Sequence, residues 1–222
     1  MNFSPQSPAP VGVLISGRGS NLGALIRATQ GEDYPAKIAL VVSNRDDAGG
    51  LELARDAGIP TLVIDHRAYE TRPEFEMALT TALEAANVDI VCNAGFMRLL
   101  TAQFTDHWHN RQLNIHPSLL PAYKGLHTHE RALSDGVRIT GCTVHVVREA
   151  MDEGPIIAQA AVATRGGDRA EELAARVLEA EHQLYPHALA LFASGQARVV
   201  GERVELSEMN GEALPALFSP QL

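Results

Sequence analysis

Val11-Gly12-Val13-Leu14-Ile15-Ser16 runs directly into Gly17-Arg18-Gly19-Ser20-Asn21, after which Leu22, Leu25 and Ile26 recur at helical spacing. The first segment is a continuous apolar run, the pattern of a strand covered on both faces. A glycine loop follows it and opens a helix. This order builds an anion site, because glycines let the backbone approach a ligand closely and the free N–H groups of the first helical turn point at it. Ser20 and Asn21 add a hydroxyl and an amide to such a site; the competing reading is a plain tight turn with Ser20 or Asn21 as helix N-cap. The dinucleotide fingerprint fails, since Leu22 stands where its third glycine belongs. The nucleotide-triphosphate loop fails for want of Gly-Lys-Ser/Thr. A small phosphomonoester fits the loop better than either.

The pattern then repeats. Apolar runs at residues 38–42, 61–64 and 89–92 alternate with helical patterns around Leu51, Ala54 and Ala57 and over residues 73–86. Strand–helix alternation of this kind predicts an α/β fold with a doubly wound, mostly parallel sheet. Ligands of such sheets bind beyond the carboxyl ends of the strands. Three features fall there: the glycine loop, the apolar loop Gly95-Phe96-Met97-Arg98-Leu99-Leu100, and Asn114 with His116. Phe96 to Leu100 reads as core packing or as an apolar slot for a flat ring. Arg72, just before the helix at 73, reads as a solvated charge. Asn93 is unusually polar for the end of a buried strand.

Leu113-Asn114-Ile115-His116 alternates apolar and polar residues, so the amide and the imidazole leave one face of the strand end. Pro117 and Pro121 close the segment, which continues through Tyr123, Lys124 and Gly125 to His127 and His129. The pair is a satisfied polar couple or a device to polarise a carbonyl and move a proton. Asp152, in a Gly/Pro-bounded loop, tips the balance: a carboxylate beside a histidine orients the ring and favours its charged form. Sequence alone does not bring Asp152 to His116. Ser118 lacks the setting of a hydrolase nucleophile. His107/His109 and His127/His129 lack a metal-site pattern, and no metal is expected. Residues 141–147 and 156–162 predict an antiparallel addition to the sheet. A long helix opens at Asp168 or Arg169, is kinked or split by Pro186, and ends at Gly195; Glu181 and His182 fall on its default solvated face. A terminal hairpin follows around Val199-Val200 and residues 204–206, and the last dozen residues carry little signal.

With 222 residues, the chain can bury one large core. Its formal charge of −9 speaks against a broad nucleic-acid surface, and no apolar run approaches the roughly 20 residues of a membrane span. Residues 1–10 read as a disordered tail and residues 11–222 as a single domain. Cys92 and Cys142 sit in apolar runs and read as buried free thiols, which points to the cytoplasm.

Taken together, Ile15-Ser16-Gly17-x-Gly19-Ser20-Asn21-Leu22, Ala94-Gly95-Phe96-Met97-Arg98, residues 113–121 with Gly125-Leu126-His127-Thr128-His129, and Asp152-x-Gly154-Pro155 resemble the folate-dependent phosphoribosylglycinamide formyltransferase family. The resemblance covers nearly all of residues 11–195. It implies formyl transfer from 10-formyltetrahydrofolate, as co-substrate, to the amine of glycinamide ribonucleotide in purine synthesis. Gly17, Arg18, Gly19, Ser20 and Asn21, with Leu178, Glu179, Ala180 and Glu181, would hold the ribonucleotide. Arg72, Met97, Arg98, Leu99, Leu100 and Asn114, with Arg148, Glu149, Ala150, Met151 and Asp152, would hold the folate. Asn114, His116 and Asp152 would be the catalytic trio. Residues 11–110 would form the phosphate-binding half and residues 111–222 the folate-binding and catalytic half. Arg18 replaces the small polar residue often found between the two glycines. The implied partners are small molecules rather than nucleic acid or membrane, and the implied state is a monomer or homodimer. Formyltetrahydrofolate hydrolysis, and non-catalytic binding of folate or phosphate, are the alternatives.

Overall fold

The computed structural model describes residues 8–207 and residue 219. In chain order the elements are β1 (Ala9–Ile15), α1 (Ser20–Thr29), β2 (Ala36–Ser43), α2 (Gly50–Asp56), β3 (Thr61–Val63), α3 (Arg72–Ala85), β4 (Ile90–Asn93), α4 (Ala102–His107), β5 (Gln112–His116), α5 (Thr128–Ser134), β6 (Ile139–Val146), β7 (Ile156–Ala163), α6 (Ala170–Ala193), β8 (Ala197–Val200) and β9 (Arg203–Leu206). A single 3₁₀ turn, His66–Ala68, follows β3. Seven strands form one sheet in the order β3-β2-β1-β4-β5-β6-β7, and β8 and β9 form a separate hairpin. Strands β1 to β5 pair in parallel, whereas β6 and β7 are antiparallel additions, as the sequence predicts.

Alternation along the strands sorts the core into two layers. Val11, Val13 and Ile15 of β1 face one side with Ile90 and Cys92 of β4, under Leu22 and Leu25 of α1, Leu51 of α2, and Tyr185 and Leu189 of α6. Leu14 and Val91 face the other side, against Phe75, Leu79 and Leu83 of α3 and Phe104 and Trp108 of α4. Both faces of β1 and β4 are thus covered, which is why their sequences are unbroken apolar runs. The chain leaves β1 toward β2 and β3, then returns to place β4 on the other side of β1. That reversal opens a crevice at the carboxyl ends of β1 and β4.

Several expectations shift. Strand β1 begins at Ala9, because Ala9 N–H bonds to the Pro35 carbonyl and Ala9 is fully buried, so the last residues of the anticipated tail belong to the sheet; residues 1–7 lie outside the described residues, as do residues 211–222 apart from Ser219. Arg72 is the first residue of α3 rather than a preceding loop residue, since Thr71 and Glu74 form a reciprocal capping box. Pro186 does not split α6, which runs unbroken from Ala170 to Ala193. Packing outweighs the lost N–H there: Tyr185, Ala188 and Leu189 are fully buried, and the Pro186 carbonyl accepts from the Tyr34 hydroxyl at 2.6 Å.

Asn93 also acquires a reason. Its side-chain oxygen accepts from Gln112 Nε2 at 3.1 Å, and its carbonyl accepts from the Tyr185 hydroxyl. That hydroxyl lies 3.0 Å from the Asn93 carbonyl and 3.2 Å from the Leu113 carbonyl, stapling α6 to the adjacent ends of β4 and β5. Tyr185→Phe should therefore lower the unfolding free energy by about 1–2 kcal/mol, seen as a lower urea midpoint at unchanged slope. An unchanged midpoint would show that the staple contributes nothing.

Candidate active site

The glycine loop sits at the carboxyl end of β1. Gly19 adopts φ +78°, and a Cβ on it would lie 2.6 Å from the Gly50 Cα, so glycine is required twice over. Gly17 fixes the same approach through its carbonyl, which accepts from Gly50 N–H at 3.1 Å. Neither Ser20 nor Asn21 is the N-cap of α1: Gly19 is, and it supplies no side-chain cap. The first-turn N–H groups therefore lack a side-chain partner at the cap, the arrangement that suits an anion. Arg18 and Ser20 are exposed beside it.

Asn21 turns inward instead. Its Nδ2 donates to Glu181 Oε2 at 2.8 Å, and both side chains are buried. Glu181 was expected on a solvated face, yet α6 packs on α1 at this point and encloses it. The Asn21 Oδ1 is buried with no hydrogen-bond partner among the described residues, an acceptor available to a ligand donor. Leu178 and Ala180 are half-buried on the same helix, while Glu179 is exposed and takes no part in this contact.

Across the crevice, residues 95–100 have no regular structure. Met97 N–H donates to Ser16 Oγ at 2.8 Å, which places this loop directly beside the glycine loop. Met97 and Leu99 are exposed, and the N–H groups of Arg98, Leu99 and Leu100 donate to no acceptor among the described residues. An apolar wall with free backbone hydrogen-bonding groups along its edge suits a flat heteroaromatic ring. Arg72 is exposed at the start of α3. Arg148 is committed to the protein, donating to Asn110 Oδ1 at 2.7 Å and to Glu202 at 3.0 Å, so its guanidinium is not free for a ligand. Glu149, Ala150 and Met151 are exposed ahead of Asp152.

The polar centre forms where β5 meets β6. Asn114 pairs with His145, and His116 with Thr143, across the antiparallel ladder. The His145 Nδ1–H donates to the Val146 carbonyl at 3.1 Å, which leaves Nε2 with its lone pair facing Asn114 Nδ2 at 3.2 Å. Burial pushes the His145 pKa down, so the ring is neutral and accepts from the amide. One N–H of Asn114 is thereby fixed, and the rest of the amide is oriented. His145 is a residue that sequence reading missed. Its only signal is the alternation Thr143, His145 on β6, and that carries meaning only once the register with β5 is known.

Asp152 does reach His116: its Oδ2 lies 3.5 Å from Nδ1, and its Oδ1 lies 3.8 Å from His145 Nε2. Asp152 holds a left-handed backbone at φ +57°. Gly154 makes this turn possible, because a Cβ there would sit 1.7 Å from the Val146 carbonyl. The segment 123–125 reaches both groups. His116 Nε2–H donates to the Tyr123 carbonyl at 2.9 Å, Gly125 N–H donates to Asp152 Oδ2 at 2.8 Å, and Lys124 pairs with Glu153 at 2.7 Å between them. The proline segment below is braced as well. Ser118 donates to the Ala122 carbonyl at 2.6 Å, and Thr143 donates to the Ser118 carbonyl at 2.7 Å. Ser118 is thus a structural hydroxyl. Cys92 and Cys142 are buried free thiols, pushed up to about 12 by burial.

Glu181 gives this site a pH signature. Burial raises its pKa from an ordinary value of 4.5, and the Asn21 hydrogen bond only partly opposes that. The folded chain therefore holds this proton more tightly than the unfolded chain. The corresponding stability is fully present below about 4.5 and is lost as pH rises through the higher folded value. Urea titrations should show the native chain losing stability relative to Glu181→Gln as pH is raised above 4.5. Parallel pH curves for the two proteins would contradict this.

Known proteins are similar to this chain in sequence and fold. Residues 10–189 match the formyl transferase family. The Escherichia coli phosphoribosylglycinamide formyltransferase is 41% identical over 203 residues, covering 91% of this chain and 94% of its own. The human trifunctional purine biosynthetic protein adenosine-3 is 51% identical over 191 residues, or 86% of this chain. The chain spans only about a fifth of the length of that relative, 19%. Among solved structures, glycinamide ribonucleotide transformylase 1 from Symbiobacterium toebii superposes with a TM-score of 0.88 at 47% identity, covering 91% of this chain and 96% of that one. The chain belongs to the formyl transferase family, on its phosphoribosylglycinamide formyltransferase branch.

Proposed function

We propose that the protein transfers the formyl group of 10-formyltetrahydrofolate to the amine of 5'-phosphoribosylglycinamide, a step of purine biosynthesis. The observation that carries this reading is the joining of Asn114, His116 and Asp152, through His145, into one polar centre at the same carboxyl edge of the sheet as the glycine loop. In this reading the loop at residues 17–21 binds the phosphate and ribose, Glu181 and the turn before it contact the same substrate, and residues 97–100 with 149–152 take the folate, Arg148 holding that segment through Asn110 and Glu202.

The geometry supports the following chemistry. The glycinamide amine attacks the formyl carbon, a C–N bond forms and the carbonyl becomes a tetrahedral oxyanion. The Asn114 N–H not held by His145 donates to that oxyanion, and His116 stabilises it from the neighbouring position. The bond to folate N10 then breaks as His116 delivers a proton to the departing nitrogen. For Nε2–H to serve there, the Tyr123 carbonyl must give up its hydrogen bond. Asp152 faces the ring that gives up this proton, takes up the proton released by the amine, directly or through water, and returns it to the imidazole. Holding both substrates in line supplies much of the remaining acceleration.

Purified protein should consume both substrates without added metal. His116→Ala should lower kcat by roughly 10²–10⁴-fold while the fold is retained. His145→Phe, which frees the Asn114 amide to rotate, should cost on the order of tenfold to a hundredfold in kcat. Near-normal turnover by His116→Ala would remove it from the mechanism. Full-rate formate release without the ribonucleotide would instead make the protein a hydrolase, and tight folate binding without turnover would make it a binding protein.

A further inference from the structure

The loop at residues 95–100 hangs on its polar ends rather than on its side chains. Met97 and Leu99 are 68% and 60% exposed, and only Phe96 and Leu100 pack at the margin of the core. At one end, the buried Ser16 hydroxyl accepts from Met97 N–H at 2.8 Å. At the other, the buried Glu76 of α3 accepts from Thr101 N–H at 2.9 Å and from the Thr101 hydroxyl. Thr101 is the N-cap of α4, yet its side chain makes no cap bond. The hydroxyl that would ordinarily stabilise the helix is given to Glu76 instead. Burying a carboxyl group is costly, and this one spends both oxygens on fixing the end of a loop. Ser16, in turn, immediately precedes Gly17. One hydroxyl therefore ties the glycine loop to the neighbouring loop across the crevice.

We propose that Ser16 and Glu76 are positioning residues that set the shape of the folate slot, and that Ser16 couples this slot to the phosphate loop. The proposal rests on reading residues 97–100 as a folate site. Neither residue touches reacting atoms. Glu76 clamps the far end of the slot, one turn of α3 beyond the exposed Arg72. Ser16 makes the near end respond to whatever orders residues 17–21. A ribonucleotide that rigidifies the glycine loop thus also holds Met97, and folate meets a slot already in its binding shape.

The test uses the full chain, the ribonucleotide, and a folate analogue with a non-transferable group on N10. Affinities are measured by calorimetry for each ligand alone and in the presence of the other, alongside steady-state kinetics. Ser16→Ala and Glu76→Ala should each weaken analogue binding by up to about tenfold, the size expected for loss of a buried hydrogen bond. Both should raise KM for folate and leave kcat at saturation little changed. Glu76→Gln, which keeps an acceptor for Thr101 N–H, should recover most of the affinity even if Glu76→Ala folds poorly. Met77→Ala, at an exposed position next to Glu76, should behave as wild type. Ribonucleotide should tighten analogue binding in the wild type and in Glu76→Gln but not in Ser16→Ala. Analogue affinity and folate KM equal to wild type in Ser16→Ala, and in Glu76→Ala where it folds, overturn the clamp, as does a Glu76→Gln variant that recovers none of the affinity. Absence of coupling in the wild type, or its survival in Ser16→Ala, overturns the link. Failure of the wild type to bind the analogue at all overturns the slot reading itself, a result distinct from the other two.

Discussion

The antiparallel ladder between β5 and β6 is the constraint on which the rest of the site depends. It sets His145 opposite Asn114 and carries the chain out to the turn at Asp152. A parallel strand in the position of β6 would enter at the opposite end of the sheet and leave Asn114 without its partner. The neutral His145 ring, pinned through Nδ1–H to its neighbour's carbonyl, then fixes the amide. Buried networks of this kind gain their specificity from complete satisfaction of their members. Here the satisfaction comes from backbone groups as much as from side chains: the Val146 and Tyr123 carbonyls and the Gly125 N–H each occupy one polar atom of the centre.

The second organising constraint is the reversal of strand order at β1 and β4. It opens the crevice and sets loops from distant parts of the chain side by side within it. Ser16 and Met97 are 81 residues apart, and Asn21 and Glu181 are 160 apart, yet each pair is joined by a hydrogen bond of 2.8 Å. The two regions proposed for the substrates therefore share a wall instead of lying in separate pockets. A transfer reaction between two small molecules needs that proximity, because the group moves only when donor and acceptor are in line.

Much of the fold was legible because the signals were local. Continuous apolar strands, helices with apolar stripes, and glycine or proline at their ends follow from periodicity and backbone sterics. The glycine loop and the Asn114/His116 pair were legible for the same reason, since each lies within a few residues of sequence. Tertiary packing overrode a local rule in three places. Pro186 was tolerated because the residues around it are deeply buried. Glu181 was enclosed by α1, and the cap of α1 passed to Gly19 because the close approach of Gly50 leaves room only for glycine.

The sequence by itself thus determined the α/β class, the glycine loop that opens α1, and the residue types at positions 114, 116 and 152, because each is encoded in short-range pattern and in residue type. Only the tertiary structure decided that Asp152 meets His116, that His145 holds Asn114, that Asn93 is satisfied by Gln112 and Tyr185, and that Ser16 and Glu76 anchor the loop at residues 95–100. Those contacts join residues that have no local relationship. Strand order, register and the packing of α3 and α6 bring them together, and these are properties of the whole chain's burial rather than of any segment.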